Sequence, residues 1–154
     1  MLLYRVTQSF KNYQVEYAIA GGWAVALHGA VRGTVDIDIV LLLTKENLER
    51  AERALNSIGL QSRLPVTASD LIDFREEYIR NKRLLAWRFM NPLDHTEIVD
   101  LLIVVDLRKL RTKKVKVGQQ RIPVVSKIDL IRMKKASGRP QDLEDIKALE
   151  TIKK

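Results

Sequence analysis

A chain of 154 residues is long enough for one domain with a hydrophobic core and too short for two domains of ordinary size. Its composition of 46% hydrophobic and 30% charged residues is typical of a soluble globular protein, and the absence of cysteine excludes disulfides and thiolate zinc sites. No apolar run approaches the length of a membrane span, and the first ten residues lack the layout of a signal peptide. We therefore expect a cytoplasmic protein that does not enter a membrane.

The net charge of +8 is concentrated in the second half of the chain. Residues 1–77 carry 8 basic and 10 acidic side chains, whereas residues 78–154 carry 19 basic and 9 acidic side chains. Residues 108–121 contain seven cations and no acid. Such a field raises the local concentration of polyanions such as RNA, DNA or nucleotides, although a basic face can also serve only to keep a protein soluble.

Hydrophobic periodicity and turn residues predict the secondary structure in chain order. The first half contains a strand at 15–20 that ends at Gly21–Gly22, a helix at 23–30, a strand at 34–43 and a helix at 44–59. Thr44 is the expected N-cap of the helix at 44–59, and Gly59 is its expected C-terminal stop.

The second half of the chain is also predicted to contain both helices and strands. It contains a helix at 68–80, strands at 83–90 and 97–105, a hairpin centred on Gly118, and helices at 126–137 and 140–152. Pro140 fits the first turn of the last helix. We predict a single α+β domain over residues 1–154, with a mixed β-sheet, flanking helices and a C-terminal helical segment at about 126–152.

Two aspartates interrupt the apolar strand T-V-D-I-D-I-V-L-L-L. Because side chains alternate along a strand, Asp36 and Asp38 point to the same face, while Ile37 and Ile39 point to the other. Two neighbouring carboxylates repel each other and resist ionisation unless a cation lies between them. A divalent cation with oxygen ligands, Mg²⁺ or Mn²⁺, would relieve this repulsion, but a solvent-exposed strand end would do so as well.

A third aspartate lies in another apolar segment, E-I-V-D-L-L-I-V-V. If this strand lies beside T-V-D-I-D-I-V, then Asp100 converges with Asp36 and Asp38 on one point of the sheet. Three carboxylates can hold two divalent ions roughly 3.5–4 Å apart, which is the arrangement that clamps both oxygens of a phosphoryl displacement. The alternative for Asp100 is an edge position or an ion pair with one of the many arginines.

A pair of glycines stands between the first strand and the first helix. Free backbone N–H groups and the helix dipole at such a turn favour a phosphate, and Gly21 and Gly22 would let the backbone approach it closely. The alternative is that these glycines serve steric reasons alone, as in many strand-to-helix turns.

In combination, these residues resemble the nucleotidyltransferase fold of the polymerase-β superfamily. The pattern is G-G, thirteen intervening residues, D-I-D on a strand, and a later aspartate on another strand. The sequence is most similar to the small prokaryotic branch, which includes minimal nucleotidyltransferases and abortive-infection type IV toxins. The stretches A-V-R-G-T-V-D-I-D and V-V-S-K-I-D-L-I-R-M-K-K-A-S-G-R-P-Q-D-L-E-D-I carry that similarity, and the resemblance spans about residues 15–150.

The resemblance implies a role for each of these residues. Gly21 and Gly22 would hold the triphosphate of an incoming NTP. Asp36 and Asp38 would bind two Mg²⁺ or Mn²⁺ ions, and Asp100 would complete the metal site and help to deprotonate the acceptor hydroxyl. In-line attack on the α-phosphate would then expel pyrophosphate, with catalysis arising from positioning and charge neutralisation.

Three cations are further candidates for nucleotide binding. Arg32 lies just ahead of the two acids, and its alternative is an ion pair with an acid. Lys134 and Arg139 could reach phosphates as well. Asp142 and Asp145 share a helix face, and we favour the interpretation that they hold Arg139 rather than a metal.

The leading hypothesis is a metal-dependent nucleotidyltransferase that moves an NMP from an NTP to a hydroxyl. The basic second half suggests an RNA acceptor such as a tRNA, and a protein hydroxyl is the other option. The resemblance also implies a toxin–antitoxin or defence setting with a cognate partner protein. The rival hypothesis is a catalytically inactive basic module that binds nucleic acid or protein, and the three acids argue against it.

Overall fold

Seven strands form one mixed β-sheet in the computed structural model, which describes residues 1–34 and 36–152. The strands are β1 (Tyr17–Ala20), β2 (Ile37–Leu41), β3 (Gln61–Ser62), β4 (Ala86–Asn91), β5 (Asp94–Leu102), β6 (Thr112–Val117) and β7 (Gln120–Val125). Their order across the sheet is β3-β4-β5-β2-β1-β7-β6. The pairs β2–β5 and β1–β7 are parallel, and the other neighbours are antiparallel. The predicted α+β class with a mixed sheet is confirmed.

Seven α-helices and one short 3₁₀ turn, Leu107–Lys109, accompany these strands in the described part of the chain. The helices are α1 (Leu2–Asn12), α2 (Gly21–Leu27), α3 (Lys45–Ser57), α4 (Ala68–Asp73), α5 (Arg75–Arg80), α6 (Lys127–Ser137) and α7 (Pro140–Thr151). None of the helices within the described ranges is both long enough and apolar enough to cross a membrane.

The helix ends follow the predicted signals in several places. The side chain of Thr44 accepts a hydrogen bond of 3.2 Å from the backbone N–H of Asn47, which confirms it as the N-cap of α3. Gly138 ends α6 in the left-handed conformation, and Pro140 occupies the first turn of α7. The two C-terminal helices therefore lie where the sequence predicts them.

Other boundaries differ from the predictions. Helix α2 begins at Gly21 itself, and strand β2 begins at Ile37, so that Asp36 immediately precedes the strand. Val35, within the predicted strand 34–43, lies outside the described residues, as do the last two residues of the predicted domain. The predicted helix at 68–80 is divided at Phe74 into α4 and α5.

One face of the sheet carries the larger part of the core. Ile19, Ile39 and Leu101 point to this face and are fully buried. Helix α1 lies on this face, where its Arg5 forms an ion pair with Glu97, which is four residues from Leu101 in β5 and so shares its face. Helix α3 packs beside α1 on the same side.

The opposite face of the sheet carries the polar residues that the sequence singles out. Ala20, Asp38, Asp100 and Arg88 are directly opposed in four adjacent strands, so their side chains share this face. Helix α2 contacts α6 and α7. The cleft described below lies between α6 and the strand ends on this side.

Candidate active site

Asp38 and Asp100 lie side by side at the centre of the sheet. They are partners in the parallel register of β2 and β5, and neighbouring strands are separated by about 4.8 Å. The predicted adjacency of these two strands is therefore observed. It places two carboxylates next to each other on one face of the sheet.

Arg88 neutralises one of the two acids. It stands opposite Asp100 in the antiparallel register of β4 and β5, and its Nε and Nη2 donate to the two Asp100 oxygens at 2.9 and 3.0 Å. The same Nη2 lies 3.5 Å from Oδ2 of Asp36. One guanidinium therefore links Asp36 and Asp100, and these two carboxylates lie within reach of each other.

Among the described residues, Asp38 forms no such ion pair. Burial, followed by the charges of Asp100 and Asp36, raises the pKa of Asp38 to about 6, although Lys134 and Arg139 act in the opposite direction. Because its ionised form is disfavoured, the carboxylate of Asp38 would be stabilised by any cation that enters the site.

Gly21 brings the backbone against Asp38. Its φ is +60°, which is the left-handed region, and a Cβ at this position would lie 2.8 Å from Cγ of Asp38. Only glycine fits this combination of backbone conformation and close contact. The first turn of α2 and the carboxylate of Asp38 thus share one wall of the site.

Lys134 and Arg139 supply positive charge near the acids. The side chain of Lys134 is only 7% exposed, and its Nζ lies 3.4 Å from Oδ1 of Asp142 and 2.8 Å from Oδ2 of Asp145. Arg139 donates to Asp142 at 2.9 and 3.3 Å but keeps 73% of its side chain exposed. The interpretation that the α7 acids hold Arg139 is thus observed for Asp142, whereas Asp145 binds other partners.

Arg32 belongs to the same charge network. Its Nε donates to Oδ1 of Asp145 at 2.9 Å, and its guanidinium also contacts the carbonyl oxygen of Gly33. Burial opposes ionisation of Asp145, but hydrogen bonds from Lys134, Arg32 and Gln141 outweigh it and keep the pKa of Asp145 below its usual value. The alternative given for Arg32, an ion pair with an acid, is therefore the arrangement observed.

A cleft of about 730 Å³ joins most of these groups. Five of the eight predicted site residues line it: Gly21, Asp38, Asp100, Lys134 and Arg139. The remaining lining is largely apolar and comes from Leu85, Leu102, Val104, Val105, Leu130, Met133 and Ala136, with Ser137 and Asp142 as its polar members. The other three predicted residues do not line it: Asp36 reaches the site through Arg88, while Gly22 lies against Arg32 and Thr34.

Comparison with known families identifies the family of the chain. Residues 3–154 match the family described as a nucleotidyltransferase of unknown function, DUF6036. The chain belongs to this nucleotidyltransferase family. The predicted superfamily and the predicted enzyme class are thereby confirmed. No curated protein sequence matches the chain.

Solved structures share the fold of this DUF6036 nucleotidyltransferase. The lincosamide antibiotic adenylyltransferase LnuA, bound to lincomycin, has a TM-score of 0.66 at 17% identity over 98% of this chain and 96% of its own. ANT(2'')-Ia, in complex with adenylyl-2''-tobramycin, has a TM-score of 0.65 at 12% identity over 96% of this chain and 85% of its own. TM1012 from Thermotoga maritima has a TM-score of 0.61 at 18% identity over 94% of this chain and 88% of its own. These likenesses confirm the predicted nucleotidyltransferase fold.

The predicted metal site is not assembled in the described structure of this nucleotidyltransferase. Within residues 1–34 and 36–152, no three His, Cys, Asp or Glu side chains are grouped so that they could hold a metal ion. The guanidinium of Arg88 lies between Asp36 and Asp100 instead. The donors nevertheless suit a divalent cation, because they are carboxylate oxygens, and burial together with the charges of Asp100 and Asp36 raises the pKa of Asp38.

Arg88 is the site residue that sequence reasoning missed. It stands in R-L-L-A-W-R-F-M, a predicted strand in which Trp87 and Phe89 are fully buried. A charge between two core aromatics is the same signal that singled out Asp100. The sequence could therefore have identified Arg88, although not its partner.

Proposed function

We propose that this nucleotidyltransferase transfers an NMP from an NTP to a hydroxyl group in the cleft that Asp38 and Asp100 line. The observation that carries the proposal is the combination of two adjacent carboxylates with Lys134 and Arg139 around one cavity of about 730 Å³. A triphosphate needs cations around it and a carboxylate-bound metal beside its α-phosphate, and this cleft offers groups for both.

The cationic side of the cleft is the proposed triphosphate site. Lys134 is held in place by two buried carboxylates, so its orientation is fixed before a nucleotide arrives. Arg139 keeps most of its side chain exposed and retains donors that Asp142 does not use. Gly21 and Gly22 add a backbone without side chains next to Asp38 and Arg32.

Asp36, Asp38 and Asp100 are the proposed ligands of two Mg²⁺ or Mn²⁺ ions. When bound, such ions neutralise phosphate charge and stabilise the attacking and leaving oxygens. Arg88 must leave at least one of its carboxylate partners for all three acids to serve as ligands, because it contacts both Asp36 and Asp100.

The proposed reaction is an in-line displacement at the α-phosphorus. The acceptor oxygen forms a new bond to phosphorus, the bond to the oxygen that bridges the α- and β-phosphates breaks, and pyrophosphate leaves. Asp100 helps to take the proton of the acceptor hydroxyl once Arg88 has released it.

We propose a hydroxyl of RNA, such as a tRNA, or of a protein as the acceptor. The surplus of cations in residues 78–154 supports RNA, and the resemblance to abortive-infection type IV toxins supports a cytoplasmic toxin–antitoxin or defence role with a cognate partner protein. A small hydroxylated molecule is a second candidate, because seven apolar side chains line the cleft and because LnuA and ANT(2'')-Ia share the fold.

Labelling with each α-³²P-NTP tests the proposal. The protein is incubated with one NTP at a time, Mg²⁺ or Mn²⁺, and total RNA, cell protein or a pool of hydroxylated small molecules. We expect label in one acceptor class with stoichiometric release of pyrophosphate. Asp38→Asn and Asp100→Asn should abolish transfer, whereas Asp73→Asn, an exposed acid at the end of α4, should not.

Full activity of both Asp38→Asn and Asp100→Asn would disprove the assigned site. A folded wild-type protein that binds RNA but labels none of the acceptors with any NTP would instead favour the inactive binding module.

A further inference from the structure

The β6–β7 hairpin gathers three cations on one of its faces. Lys116 stands directly opposite Arg121 in the antiparallel register, and Lys114 follows two residues away on the same side of β6. All three residues are exposed. Among the described residues, none of the three forms an ion pair, so their charge is available to a ligand.

The register of the sheet places these cations on the face that carries the carboxylates. Ile19 pairs with Val124, so the residues adjacent to Val124 in β7 share the face of Ala20, which pairs with Asp38. Lys114 pairs with Pro123 and therefore belongs to that face as well. Strand β6 lies three positions from β2, a lateral distance of roughly 14 Å at the usual strand spacing.

A buried acid connects this hairpin to helix α6 and adds two more cations. Asp129 accepts hydrogen bonds from the side chain of Arg111, at the start of β6, and from Arg132 of α6 at 2.9 Å. Hydrogen bonds from Arg111 are the main reason why the pKa of Asp129 is lowered to about 2. Both arginines keep more than 60% of their side chains exposed, at 62% and 67%. We call these five residues the basic ridge: Arg111, Lys114, Lys116, Arg121 and Arg132.

The ridge is costly in the isolated protein. Like charges that are directly opposite in a sheet destabilise it, and Lys116 and Arg121 are such a pair. Lysines on an edge strand prevent edge-to-edge aggregation. This alternative explanation accounts for Lys114 and Lys116, which lie on the edge strand β6. It does not explain Arg121 on the inner strand β7 or Arg132 on α6.

We propose that the basic ridge binds the phosphate backbone of the RNA whose end is presented to the cleft. This inference rests on the proposed function for the choice of RNA, because an RNA 3′ end offers two hydroxyls to the reaction. Lys114 and Lys116 are about 6.7 Å apart along the strand, which is comparable to the spacing of successive phosphates. The ridge has no aromatic side chain for base stacking, so binding is independent of sequence and strongly dependent on salt.

Fluorescence anisotropy with a short labelled RNA stem-loop tests the ridge without catalysis, because NTP is omitted and EDTA is present. The ridge variant is Lys114→Gln, Lys116→Gln and Arg121→Gln. The matched control is Lys11→Gln, Lys45→Gln and Arg53→Gln, which removes the same charges from the exposed surfaces of α1 and α3.

The ridge variant should bind RNA at least about tenfold more weakly at moderate salt. The slope of log K against log salt should fall by about 2 to 3, because three phosphate contacts are lost. The control variant should bind like the wild type. The ridge variant should melt no earlier than the wild type, since removal of Lys116 and Arg121 relieves a repulsion.

Equal RNA binding by the two variants would overturn the inference. Binding of polyglutamate as tight as that of RNA, lost in the ridge variant, would also overturn it and assign the ridge to an acidic protein. The wild-type protein could bind RNA through the ridge and yet transfer no label. That result would support RNA binding by the basic ridge and contradict the proposed nucleotidyl transfer.

Discussion

Arg88 and Asp100 form a two-point ion pair across β4 and β5, with nitrogen–oxygen distances of 2.9 and 3.0 Å. The guanidinium also lies 3.5 Å from Asp36. A protein cation thus holds two of the three carboxylates that we propose as metal ligands. The positive charge of the guanidinium repels a divalent ion at the same carboxylates, so Arg88 competes with that ion for the site.

We expect Arg88→Met to bind Mn²⁺ about five- to tenfold more tightly, which corresponds to the loss of an ion pair of about 1 kcal/mol. Titration followed by electron paramagnetic resonance, without nucleotide, measures this affinity. Arg80→Met is the control, because Arg80 forms an exposed ion pair with Glu76 on the surface of α5. Unchanged or weaker Mn²⁺ binding by Arg88→Met would show that Arg88 does not compete with metal.

Gly21→Ala should be more harmful than Gly118→Ala, although both glycines have a φ of +60°. The left-handed backbone costs an alanine roughly 1–2 kcal/mol at either position. A Cβ at Gly118 meets nothing within 4 Å, whereas a Cβ at Gly21 lies 2.8 Å from Cγ of Asp38. We therefore expect a further loss of about 1–3 kcal/mol in the free energy of unfolding of Gly21→Ala, measured with urea. Equal losses in the two variants would refute the close contact.

Asp38 should make the metal-free protein less stable as the pH rises. Burial and the charges of Asp100 and Asp36 raise its pKa from 3.8 to about 6, so the folded state binds this proton more tightly than the unfolded state does. The contribution of Asp38 is therefore lost as the pH rises from about 4 to about 6, and it stays lost above that range.

Asp38→Asn should remove this dependence and stabilise the protein at pH 7 by roughly 1–3 kcal/mol. The free energy of unfolding is measured in EDTA from acidic to neutral pH, with Asp73→Asn as the control. The stability difference between Asp38→Asn and wild type should open across the stated pH range. A difference that is constant with pH would contradict the assignment.

Lys134→Met should lower the free energy of unfolding by about 3 kcal/mol, because Asp142 and Asp145 would each lose a partner inside the protein. Lys135→Met is a closely matched control, since Lys135 is the next residue of α6 and is exposed. Denaturant titration of the two variants measures the difference. If both are equally stable, the ion pairs of Lys134 contribute nothing to the fold.

The sequence predicted those helices and strands that are stabilised by residues close to them in the chain. Helix α3 was predictable from Thr44, which caps it with its own side chain. No element was predicted for residues 1–14, because α1 has no side-chain cap and is held by distant partners, such as Glu97 for Arg5. Its apolar residues at helical spacing were nevertheless a usable signal. The break at Phe74 has no glycine or proline, so the sequence did not indicate it.

Part of the candidate site was predictable because a charged residue inside an apolar strand is energetically costly and therefore indicates a function. That reasoning identified Asp38 and Asp100 and applies equally to Arg88. It could not give partners, because spacing along one strand fixes the face but not the register with another strand. The pairing of Arg32 with Asp145 joins residues 113 positions apart, and only the packing of α7 brings them together.

The parallel pairing of β2 with β5 has a consequence for how the chain folds. β1 with β2, and β4 with β5 across a two-residue turn, are each close in sequence and can form early, whereas β2 and β5 must close a long loop. The acids therefore meet at the seam between two preformed halves. Asp100 arrives there already neutralised by Arg88 of its own hairpin, so the final joining step brings fewer unshielded negative charges together.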